Sequence, residues 1–144
     1  MSTVIPIGGY LELESLNRDF PYSQSILLNT GRNCFEYILK ATGCTHVYLP
    51  TYTCAVMLEP LTRHGISYSF YAIDENLEIK DSIIPGQNEY IVYTNYFGIK
   101  DEYARQLNTL YKDKLILDCS QAFYSLPLED GHTFYSPRKF FALP

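Results

Sequence analysis

Apolar runs too short to be helices alternate along this chain with segments whose apolar residues recur at helical spacing. The first run, Ile26 to Leu28, is bounded by turn residues and reads as a buried strand. The period then changes: Phe35, Ile38, Leu39 and Thr42 share a helical face, and Gly43 supplies the stop. "HVYLP" (46–50) reads as a second strand. "TYTCAVMLEPLTRHG" (51–65) reads as a helix capped by Thr53, with Val56 or Met57 and Leu61 inward and Gly65 at its end. Pro60 removes a backbone donor inside that helix and should kink or shorten it. "ISYSFYAI" alternates as a third strand, followed by a polar connector over 74–89. "YIVYTNYFG" is a fourth strand running into an aromatic turn. Asp101 caps a helix carrying Ala104, Leu107, Leu110 and Tyr111 at helical spacing, and "KLILDCSQ" is a fifth strand ending at Asp118.

Strands that alternate with helices predict an α/β fold with a mostly parallel sheet flanked by helices on both faces. Ligands of such sheets bind beyond the carboxyl ends of the strands. The residues to interrogate are therefore 30–33, 51–54, 95–98 and 118–121.

A length of 144 residues suits one domain, or a portion of one, because two would each be marginal. The net charge of −5 argues against a nonspecific grip on nucleic acid, which needs clustered Lys and Arg. No apolar stretch is long enough to span a bilayer, and "MSTVIPIGGYLELE" at the start lacks a basic, apolar leader, so no membrane partner and a cytoplasmic location are expected. Cys34, Cys44, Cys54 and Cys119 contain no C-x-x-C pair. Cys44, His46 and Cys54 lack the close ligand spacing of a zinc site, so no metal is expected. The 14 tyrosines are read mainly as strand and core residues, with some Tyr-rich turns left as walls for a planar ligand.

Three features could carry chemistry. "NTGRN" sets Gly31 and Arg32 at the start of the first helix, where free N–H groups favour an anion; it fits neither the Walker A nor the G-x-G-x-x-G pattern. Taken alone, an ordinary helix cap with a solvated arginine explains it better. Asp118 closes a buried strand and would attract a cation such as a protonated ring nitrogen, and Gln121 follows three residues later. Finally, "FYSPRKFF" carries Lys139, either a surface lysine or an amine poised to attack a carbonyl.

In that order, phosphate turn, strand-end carboxylate and late lysine, the chain resembles the N-terminal part of the DegT/DnrJ/EryC1/StrS family of pyridoxal-phosphate-dependent aminotransferases. "LNTGRNCFEYIL", "VYLPTYTC", "SFYAIDENLEI", "LILDCSQAF" and "FYSPRKFF" each resemble a segment of that family. The resemblance implies a portion of the large domain of the fold type I architecture, with residues 1–144 as a single, incomplete N-terminal piece, since the family's chains run on well past the lysine. It also implies pyridoxal 5'-phosphate as cofactor, a keto-sugar nucleotide and an amino donor as substrates, and a homodimer.

By the same resemblance, Lys139 would bond to the cofactor aldehyde and shuttle a proton. Asp118 would pair with the pyridine nitrogen. Gln121 would lie by the phenolic oxygen, Gly31 and Arg32 would hold the phosphate, and Ser136 is a further candidate for that phosphate. Cys54 occupies the cofactor-binding position where the family commonly has a stacking aromatic, so Tyr52 or Tyr96 would have to supply the ring. Phe134 stands where the family often has a serine. The alternative is a catalytically incomplete binding module derived from the family. A dehydratase relative would typically lack the lysine.

Overall fold

Residues 22–141 are described by the computed structural model. Strands β1 (His46–Pro50), β2 (Ser67–Tyr71), β3 (Glu89–Thr94), β4 (Leu115–Cys119) and β5 (His132–Tyr135) form one sheet in the order β2-β1-β3-β4-β5. Every pairing is parallel. Helices α1 (Gly31–Ala41), α2 (Leu58–His64) and α3 (Asp101–Tyr111) cover it. The expected α/β architecture is thus the observed one.

Strand alternation divides the core between the two faces. On the face under α1 and α2, Val47, Leu49, Tyr90, Val92, Ile116 and Phe134 pack with Phe35, Leu39, Met57 and Leu61. On the other, Ile91, Tyr93, Leu115, Leu117 and Cys119 pack with Ala104 and Leu107 of α3. All five residues of β4 are buried, as a central parallel strand requires. Four tyrosines, Tyr71, Tyr90, Tyr93 and Tyr96, are buried with them. Three of these end on main-chain carbonyls: Tyr71 donates to Val92 at 2.6 Å, Tyr93 to Leu77 at 2.8 Å and Tyr96 to Tyr52 at 2.9 Å. Such partners let a phenol be buried without loss.

Several expectations need correction. Ile26 to Leu28 is not a strand: the segment pairs with nothing in the sheet and its three side chains are exposed. The fifth strand is instead β5, whose His132 and Thr133 gave no apolar run. Thr53 caps nothing. The chain enters α2 through a 3-10 turn, Ala55–Met57, whose cap position is Cys54. Pro60 does shorten the α-helical part, which starts at Leu58 with Pro60 in its first turn, where its missing donor costs nothing. Met57 rather than Val56 faces inward. Asp101 is the first residue of α3 and not its cap; its carboxylate accepts from Asn95 Nδ2 at 2.6 Å. Leu110 lies outside the arc of α3 that meets the sheet and is exposed.

Thr30, not singled out in the sequence, caps α1, its Oγ1 accepting from the Asn33 N–H at 3.1 Å, while the helix-end readings stand. Gly43 and Gly65 end their helices with left-handed backbone, φ 63° and 64°. Among the described residues no helix is long and apolar enough to cross a membrane. The leader reading of residues 1–14 lies outside the described residues.

Candidate active site

Beyond the carboxyl ends of β1, β3 and β4 lies a cavity of about 230 Å³. Each strand contributes its next residues to the lining: Tyr52, Thr53 and Cys54 follow β1, Tyr96 follows β3, and Ser120 and Gln121 follow β4. Asp118 and Thr94, paired in register at the ends of β4 and β3, form the floor. Lys139, in the one-turn 3-10 segment Pro137–Lys139 after β5, closes the remaining side.

Asp118 is only 6% exposed, and burial raises its carboxyl pKa above the ordinary value. Hydrogen bonds from the Ser120 main chain and hydroxyl, and the positive charge of Lys139, pull it the other way. A buried acid under that strain gains from any further cation brought into the cavity. Lys139 itself is exposed, at the mouth and not in an apolar pocket. Its Nζ donates to Ser120 Oγ at 3.4 Å.

Gln121 is held from the neighbouring turn. The Phe97 N–H donates to Gln121 Oε1 at 3.1 Å. Because a main-chain N–H can only donate, the oxygen is committed there, and the amide NH2 is the end left to meet a ligand. Tyr52 and Tyr96 stack at 5.5 Å with rings 14° apart. Tyr96 is buried, which pushes its phenol up to about 12, whereas Tyr52 is 59% exposed and shows an aromatic face at the cavity mouth. Cys54 shares that wall, with an exposed thiol.

The remaining predicted residues lie at the start of α1. A Cβ on Gly31 would sit 3.6 Å from Ser136 Cβ and 3.8 Å from the Phe134 ring, so the N-terminus of α1 abuts the carboxyl end of β5. Ser136 is buried there. The Asn33 and Cys34 N–H groups are taken by Thr30, and those of Gly31 and Arg32 have no hydrogen-bond partner among the described residues. The Arg32 guanidinium is paired with Glu59 of α2 and does not line the cavity.

The structure thus brings Asp118, Gln121, Cys54 and Lys139 to one cavity; Gly31 and Ser136 lie beside each other and Arg32 is paired with another helix, and none of these three lines that cavity. Ser120 and Thr94 were not singled out in the sequence. The strand-end rule covers the turn holding Ser120 but not Thr94, whose signal is its register with Asp118. A larger groove, about 360 Å³, runs along the outer edge of β5 against residues 24–28 and contains neither Asp118 nor Lys139. It offers apolar walls without an acid and amine pair, so the smaller cavity is the one with chemistry. No protein-family model matches the chain, and no curated protein matches it.

Proposed function

We propose that this cavity holds pyridoxal 5'-phosphate and that the chain is the cofactor-binding portion of an aminotransferase of the DegT/DnrJ/EryC1/StrS type, acting on a keto-sugar nucleotide. The observation that carries this reading is the convergence of the Lys139 amine and the buried Asp118 carboxylate on one cavity. The cofactor, when bound, would supply an aldehyde for the amine and an electron-withdrawing ring for moving an amino group.

The donor set suits such a group. Asp118 offers a desolvated carboxylate to a ring N–H⁺, which would also relieve the cost of its burial. Gln121 offers an amide N–H to a ring oxygen, since its own oxygen is engaged. The Tyr52 face suits a flat ring and takes the place left by Cys54. For a phosphate, the Gly31 and Arg32 N–H groups at the positive end of α1 would serve, with Ser136 beside Gly31; these residues lie outside the lining of the cavity, and the Arg32 side chain is held by Glu59. Lys139 Nζ is the nucleophile and, once free, the group that carries a proton across the cavity. A homodimer and a cytoplasmic setting belong to the same proposal.

A second reading, a binding module without catalysis, is favoured by the exposed Ile26 to Leu28 and by the outer edge of β5, which pairs with no strand among the described residues. Titration with pyridoxal phosphate followed by visible absorbance separates the two. The aminotransferase reading requires a saturable band in the wild type, its loss in Lys139→Ala and a displaced or weakened band in Asp118→Asn. An identical response from wild type and Lys139→Ala would leave the module reading.

A further inference from the structure

We propose that Tyr96 is a positioning residue for a flat cationic ring: its own ring backs that of Tyr52 and its hydroxyl holds the Tyr52 carbonyl, so that the exposed Tyr52 face stands preformed at the mouth of the cavity. The inference rests on the reading of Tyr52 as the wall for the cofactor ring. It divides between two residues a role that the sequence offered to either: Tyr52 presents the face and Tyr96 aims it.

A carbonyl oxygen can only accept, so the Tyr96 phenol is the donor across the 2.9 Å to Tyr52. The two rings lie 5.5 Å apart and 14° from parallel, which covers one face of Tyr52 and leaves the far face to carry the exposure of a residue 59% open to solvent. The support is itself fixed. Tyr96 is 1% exposed and stands edge-on to Tyr93 at 5.9 Å and 88°, and the Tyr93 hydroxyl is tied to the Leu77 carbonyl at 2.8 Å. Tyr52, by contrast, lies in the irregular segment 51–54 that follows β1. Its main chain is held on either side of its Cα, by the Thr51 N–H on the Tyr71 carbonyl at 2.9 Å and by its own carbonyl on Tyr96. Among the described residues its ring meets no other aromatic. Deleting the Tyr96 hydroxyl removes the second of those ties and leaves the stack to hold alone.

The same turn also reaches Gln121, through the Phe97 N–H on Oε1. Tyr96 and Phe97, consecutive after β3, thus hold one residue after β1 and one after β4, and all the side chains concerned but Phe97 line the cavity. The charge of the ring follows from the surroundings. The face of a phenol is the negative part of its quadrupole and attracts a cation, and Asp118 on the floor of the cavity accepts from a ring N–H⁺. A protonated flat ring gains from both; a neutral one gains from the stack alone.

Tyr96→Phe keeps the buried ring and deletes only the hydroxyl. Affinity for pyridoxal phosphate is read by absorbance in wild type, Tyr96→Phe, Tyr52→Ala and the double variant. Tyr96→Phe should weaken binding about threefold beside an intact Tyr52 and change nothing in the Tyr52→Ala background, because the hydroxyl acts only through that ring. A purely structural loss would appear in both backgrounds. Where wild type takes up pyridoxal phosphate, an equal drop in both, or none in either, overturns the proposal. A second readout needs no ligand: the fluorine resonance of Tyr52 in protein labelled with 3-fluorotyrosine, assigned by its absence from Tyr52→Phe. Tyr96→Phe should move it towards the position of the free amino acid, while the resonance of Tyr124, 75% exposed, stays where it is. A Tyr52 resonance that does not move that way overturns the proposal as well. Wild type that takes up pyridoxal phosphate while the resonance stays put defeats this inference alone; a moved resonance in a chain that takes up none defeats the functional reading alone.

Discussion

The main-chain N–H of Phe97 donates to Oε1 of Gln121 at 3.1 Å, tying the turn after β3 to the turn after β4. Phe97 adopts left-handed backbone to do so, φ 56°, in a residue 62% exposed that gains little from packing. Gly98, at φ 72°, continues the same turn over the Gln121 main chain. The arrangement spends backbone strain on the orientation of one amide.

Gln121→Glu tests that orientation. The carboxylate would still accept from Phe97, but the donor facing the cavity is replaced by an acceptor. Pyridoxal phosphate binding should weaken about tenfold, the loss of one hydrogen bond, with little change in the urea midpoint. Equal affinity in the variant, measured by absorbance titration, would show that the amide N–H meets no ligand oxygen.

Asp118→Asn should stabilise the ligand-free protein while impairing the site. The folded carboxyl pKa lies above its unfolded value, because burial outweighs the Ser120 bonds and the charge of Lys139. For a raised acid the folded state is penalised at pH above both values, and the penalty disappears as pH falls through the folded pKa and then the unfolded one. The variant should therefore unfold at higher urea than wild type near about pH 7 and lose that advantage by about pH 3. A lower urea midpoint at neutral pH would contradict the assignment of Asp118 as a strained acid.

Gly131→Ala reports on the loop that delivers β5. A Cβ there would lie 2.8 Å from the Leu115 carbonyl oxygen and 2.6 Å from Leu128 Cδ1. The leucine can turn away, but the carbonyl belongs to the first residue of β4. Overpacking of this kind should cost about 1–3 kcal/mol, visible as a lower urea midpoint.

Tyr52→Ala removes the exposed member of the stacked pair and Tyr52→Phe keeps it. If a flat ring rests on that face, the alanine variant should bind pyridoxal phosphate about three- to tenfold more weakly, and the phenylalanine variant as wild type does. Equal affinities across the three proteins would remove Tyr52 from the site.

The alternation of strand and helix was legible because fully buried parallel strands such as "LILDC" must be apolar, and helices on a sheet must repeat at helical spacing. Ile26 to Leu28 shows where that logic stops: three apolar residues say nothing about which strand would pair with them. β5 escaped notice for the converse reason, since an edge position tolerates the half-buried His132 and Thr133. Asp118 and Gln121 were legible from their place after a buried strand. The pairing of Arg32 with Glu59 was not, because it joins two helices far apart in sequence. Ser120 fell within the interrogated turn 118–121 but was not singled out; its contact with a lysine 19 positions later exists only in the folded chain.

The most direct measurement is the location of a trapped adduct. The chain is incubated with pyridoxal phosphate, reduced with borohydride, digested and analysed by mass. The account predicts one pyridoxyl group on the peptide containing Lys139, absent from Lys139→Ala and diminished in Asp118→Asn. A label spread over exposed lysines such as Lys40, or none on Lys139, would contradict it.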